Sequence, residues 1–177
     1  MKTPEQLDDF LTDVLYEALP KGMYRFWEIP NPQGLPAKAK LREYLTNWHK
    51  TQQKVSQKEQ PLPRLMQEEL RQMELKAIAN WQVLCQDKFE EWSHLGPGGE
   101  PSPPSTAKFN SLKAEFLQDL EAILNQSQLR GSYSLEDPSS ATLPWHIGWA
   151  PWSDQLNFDI LFDTEIALYI MHYGWSS

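Results

Sequence analysis

The sequence predicts an α+β fold, because two hydrophobic periods succeed one another along the chain and the composition supports a packed core. Apolar residues recur at 3–4 spacing up to about Gln126 and alternate in twos after it. The chain has 177 residues, is 40% hydrophobic and 23% charged, and carries eight tryptophans, an ordinary balance for a globular protein that needs no metal or disulfide to fold. Helices first and strands later argue against a parallel βαβ sheet and for an antiparallel one.

The first helix is expected over about 3–19. Thr3-Pro4-Glu5-Gln6 supplies a capping hydroxyl, a proline at the first helical position and a reciprocal glutamine. Leu7, Phe10, Leu11, Val14, Leu15, Ala18 and Leu19 form its apolar stripe, and Pro20 and Gly22 end it. Residues 24–29 (YRFWEI) read as a short strand or extended segment, closed by the proline-rich loop from Pro30 to Pro36. A second helix follows over about 37–53, with Leu41, Tyr44, Leu45 and Trp48 inward and Lys38, Lys40, Arg42 and Lys50 outward.

The longest element expected is a helix over about 62–94, carried by Leu62, Met66, Leu70, Met73, Ala77, Trp81, Leu84 and Phe89. Its length of roughly 45 Å exceeds what a small domain needs, so part of it is a candidate contact face. Residues 95–106, rich in proline and glycine, read as a flexible linker between a helical region over 1–94 and a helix-plus-sheet region over 107–177, packed together as one domain. Phe109, Leu112, Phe116, Leu117, Leu120, Ile123 and Leu124 predict a helix over 107–126.

Thereafter 130–135, 143–149, 155–162 and 166–173 alternate in twos between turn-forming clusters. This predicts a four-stranded antiparallel meander with Leu156, Phe158, Ile160 and Phe162 on its buried face and Asp159 on an outward acidic face. Trp145 and Trp149 share a strand face, as core wall or as ligand platform, whereas Trp152 and Trp175 are expected at the surface.

The start, MKTPEQLDDF, lacks the basic-then-apolar order of a secretory signal, and no segment approaches the roughly 18 apolar residues of a membrane helix. With a single cysteine, Cys85, unable to form an internal disulfide, the expected location is cytoplasmic, away from membranes. The formal charge of -8 opposes non-specific nucleic-acid binding, yet 36–88 holds ten Lys/Arg against six Asp/Glu, while 107–177 holds three against nine.

Catalytic signatures are missing from the sequence. His49, His94, His146 and His172 stand apart without H-E-x-x-H or C-x-x-C spacing, and Asp154, Asp159, Asp163 and Glu165 fit no calcium-loop pattern. Cys85 lies on an apolar helical face, and the glycines at 96, 98 and 99 lack the strand and lysine of a phosphate loop. The expectation is therefore a non-enzyme without metal or cofactor: an adaptor, assembly factor or small subunit that meets a protein partner. Its binding surface is placed at Trp27, Trp48, Trp152, Trp175, Lys38, Lys40 and Arg42. A second reading is an accessory subunit contacting nucleic acid through the basic stretch 36–71, with Trp48 stacking. A hydrolase or metal enzyme built on His146, His172 and nearby carboxylates ranks last.

Overall fold

The computed structural model describes residues 1–15, 22–56, 74–93, 106–136 and 156–175. The expected α+β class is present. In chain order the elements are α1 (Pro4–Asp9), continued by a π-helical stretch Phe10–Leu15, then β1 (Gly22–Pro30), α2 (Ala37–Ser56), β2 (Glu74–Ala77), α3 (Trp81–Ser93), α4 (Thr106–Gln126), β3 (Leu129–Glu136), β4 (Leu156–Thr164) and β5 (Ala167–Trp175).

All pairings are antiparallel, in the order β1-β5-β4-β3-β2. The expected meander is thus only the middle of a five-stranded sheet, to whose edges β1 and β2 are added. The expected strand 143–149 lies outside the described residues, as does the expected linker up to residue 105, whereas Thr106 already begins α4.

The expected long helix over 62–94 is overturned. Residues 74–77, placed within a helix over 62–94, form β2 against β3, with Glu74 opposite Glu136 and Ala77 opposite Tyr133. The helical period of this stretch is real, but pairing with β3 satisfies its backbone, and the Ile78 amide extends the ladder to the Ser132 carbonyl at 2.9 Å. The helix starts afresh at Trp81, where Asn80 Oδ1 accepts the Val83 amide at 3.2 Å as an N-cap.

Helices cover both faces of the sheet. On one, α1, α3 and α4 bring Leu7, Phe10, Leu11, Cys85, Phe89, Phe116 and Leu120 against Tyr24, Phe26, Ile160, Phe162, Tyr169, Met171 and Tyr173. On the other, Ala37, Leu41 and Leu45 of α2 cover Ile29, Leu161, Leu168 and Ile170. Both residue parities of β4 and β5 are therefore buried, which is why Leu161, Leu168 and Ile170 interrupt a simple inside–outside alternation.

This double cover corrects the reading of Asp159, which is buried at 2% exposure rather than outward. It stands opposite His172 in the β4–β5 register, and the Nδ1–H of His172, itself 1% exposed, donates to Asp159 Oδ1 at 2.7 Å. A buried polar group is tolerated when hydrogen-bonded, and this pair meets that demand beside the Trp27 ring, 6.0 Å from the His172 ring.

Candidate functional site: an acidic and apolar groove beside the first strand

The capping box read from the sequence is formed. Thr3 Oγ1 accepts the Gln6 amide at 3.2 Å, and Gln6 Oε1 accepts the Thr3 amide at 3.0 Å. The box fixes where α1 begins, and Leu7, fully buried, fixes which way it turns. Asp8, one residue on, therefore points at the outer edge of β1, where its Oδ1 accepts the Phe26 amide at 2.8 Å and the Arg25 Nε–H at 2.9 Å. Lys2 anchors the same segment to α4 through Glu115 at 2.9 Å and Asp119 at 2.6 Å, with its ammonium 4.3 Å from the Phe10 ring centre.

Holding α1 across the end of β1 creates two cavities that share Pro4 and Glu28. The first, about 350 Å³, is lined by Glu5, Asp8, Asp9 and Glu28 with Phe26 and Trp27. The second, about 480 Å³, is walled by Met1, Ile123, Ile166 and Tyr169 together with the polar Lys2, Thr3, Gln126 and Ser127. Adjoining at Pro4 and Glu28, they give a groove that is acidic and aromatic at one end and of mixed apolar and polar lining at the other.

Electrostatics mark the junction. Partial burial pushes the Glu28 carboxyl up, and the Glu5 carboxylate facing it adds to the push. The Tyr169 hydroxyl is also raised, first by burial, against the lowering effect of its 2.9 Å hydrogen bond with Ser127 Oγ and with further upward push from Glu28 and Glu5. Two like charges thus meet at the groove's middle, an arrangement that a cation would relieve.

Of the expected binding residues, Trp27 lies in this groove, half-buried, with the Arg25 guanidinium 5.7 Å from its ring centre. Lys38, Lys40 and Arg42 are half-buried on α2 and line neither cavity; Lys40 is paired with Glu43 at 2.8 Å. Trp48 lies on α2 and Trp175 ends β5 opposite Gly22 and Leu156, while Trp152 lies outside the described residues. Trp27 packs against the cluster that Leu41 and Leu45 of α2 build, on the helix that carries Lys38, Lys40, Arg42 and Trp48.

Sequence reasoning missed Glu5, Asp8, Glu28, Ile166 and Tyr169, because the groove joins the first thirty residues to the β4–β5 turn. One signal was available: Ile166 sits in a two-residue connection where polar or glycine residues are the usual choice. Among the described residues no group of three or more His, Cys, Asp or Glu side chains has the geometry to hold a metal ion. Nor is any described helix long and apolar enough to cross a membrane. Comparison with protein-family models, curated proteins and solved structures gives no match for this chain.

Proposed function

We propose that this chain is a non-enzymatic interaction protein, and that its docking site is the groove between α1 and the edge of β1. The observation that carries the reading is the facing pair of Glu5 and Glu28 where the two cavities join, with Asp9 and Trp27 alongside. Charge complementarity commits the occupant to a basic segment of a partner protein, whose Lys or Arg would sit over the carboxylates. Other features favour binding over chemistry. Cys85 is fully buried with its thiol pushed up to about 12, first by burial, against a lowering hydrogen bond with Tyr173, so it is poorly suited to act as a nucleophile. The Asp159–His172 pair is enclosed and lines neither cavity.

The test uses the full chain and a Glu5→Lys/Glu28→Lys variant; both side chains are exposed, so the variant should fold. Proteins captured and cross-linked by the parent are identified, the cross-linked positions mapped, and the same capture repeated with the variant. The expected result is cross-links concentrated at α1 and β1 and at least a tenfold loss of those partners on charge reversal. Capture of the same partners, in the same amount, by both proteins would overturn the proposal.

A further inference from the structure

We propose that the second cavity is an aliphatic anchor pocket, so that the segment docking in this groove carries Leu, Ile, Val or Met next to its Lys or Arg. The inference rests on the docking reading above and specifies the occupant's chemistry.

The argument begins with Ile166. It is 57% exposed in the short connection between β4 and β5, although that connection is already organised without it. Thr164 Oγ1 donates to the Ala167 carbonyl at 2.7 Å and accepts the Ala167 amide at 3.1 Å, and the Glu165 amide reaches the Ser127 carbonyl at 3.2 Å. Turn chemistry therefore asks for no isoleucine at this position, and water penalises one.

Ile166 nevertheless belongs to an apolar side of the second cavity. Met1, 76% exposed, stands with it there, as do Pro4, Ile123 from α4 and Tyr169 from β5, while Lys2, Thr3, Glu28, Gln126 and Ser127 supply the polar remainder of the lining. The Tyr169 hydroxyl is already satisfied by Ser127, so the aromatic ring offers its apolar surface without demanding a polar partner. A chamber of about 480 Å³ admits an aliphatic side chain and its neighbouring backbone. Glu28 belongs to both cavities, so a cation held by Glu5 and Glu28 and an aliphatic group seated beside Ile166 must be near neighbours on the bound chain.

The experiment titrates the full chain with short fluorescein-labelled peptides in three compositions: repeated Lys-Leu pairs, repeated Lys-Ser pairs and repeated Glu-Leu pairs. Fluorescence anisotropy should show the Lys-Leu peptide binding roughly tenfold more tightly than Lys-Ser, the size expected for burying a few methylene groups, and Glu-Leu not binding. Ile166→Ser should weaken Lys-Leu binding by several-fold and leave Lys-Ser binding unchanged. Equal affinity for Lys-Leu and Lys-Ser, or an equal effect of Ile166→Ser on both, would overturn the anchor pocket. Failure of all three peptides would overturn it too. Partner loss on Glu5→Lys/Glu28→Lys, read in the separate capture experiment, would then still stand for the docking groove itself.

Discussion

Replacing Asp159 with alanine tests the double-covered architecture more directly than any other single change. The side chain is 2% exposed and its partner His172 is 1% exposed, so the substitution strands a buried ring N–H at 2.7 Å from where its acceptor had been. A buried donor left without a partner costs about 1–3 kcal/mol, and this site is almost fully enclosed, so a loss near the top of that range, about 3 kcal/mol, is expected. With a urea slope of about 2 kcal/mol/M, the midpoint should fall by roughly 1.5 M. The assay is urea unfolding followed by tryptophan fluorescence, repeated for His172→Phe and for the double variant Asp159→Ala/His172→Phe. Because the two side chains act as a unit, the double variant should lose at least about 1 kcal/mol less than the single losses combined. Had Asp159 stood on an outward acidic face, Asp159→Ala would shift stability by no more than about 0.5 kcal/mol. A shift of that size, or strict additivity, would refute the buried pair.

Phe89 is fully buried and its ring centre lies 5.3 Å from that of Tyr24, 5.4 Å from Phe116 and 5.0 Å from Tyr173. Phe89→Ala should therefore cost about 3–5 kcal/mol by the same unfolding assay, and a loss below about 1 kcal/mol would show that this face is not packed as described. Cys85 should resist alkylation by iodoacetamide in the native protein and react fully once unfolded; rapid native labelling would contradict its burial. Its thiol also sets a pH dependence. The native state retains a proton from the ordinary value of 9.0 up to about 12, whereas the unfolded chain releases it, so stability present below pH 9 should fall as pH rises through that window. The expected slope from this one group is about 1.4 kcal/mol per pH unit. Burial raises the Tyr24 and Tyr173 hydroxyls in the same sense, adding a decline that begins near pH 10. Cys85→Ala should flatten the curve between pH 9 and 10, and an unchanged curve would remove the thiol from the account.

What could be read from the sequence was whatever is encoded locally. The Thr3–Gln6 capping box and the apolar stripe of α4 each depend on neighbours a few residues away, and each stands as expected, while the β4–β5 turn, expected between 162 and 166, falls at Glu165 and Ile166. The edge strands were harder. Residues 74–77 have good helix formers and a helical period, yet β3 recruits them, a tertiary preference that no window of the sequence displays. Asp159 departs from expectation for a related reason: alternation predicts one wet face, whereas α2 closes that face with Leu41 and Leu45. The groove was least legible, since Glu5, Glu28 and Ile166 become neighbours only when α1, β1 and the β4–β5 connection meet.

The pairing of β1 with β5 has a consequence for biosynthesis. Gly22 lies opposite Trp175 and Pro30 opposite Ala167, so the earliest strand to emerge from a ribosome finds its neighbour only after nearly all of the intervening chain has been made. Until then the Tyr24 and Phe26 rings and the apolar residues of α1 have no sheet to rest on. Such long-range closure is slow and leaves sticky surface exposed, so the nascent protein is expected to lean on chaperones until β5 has been made.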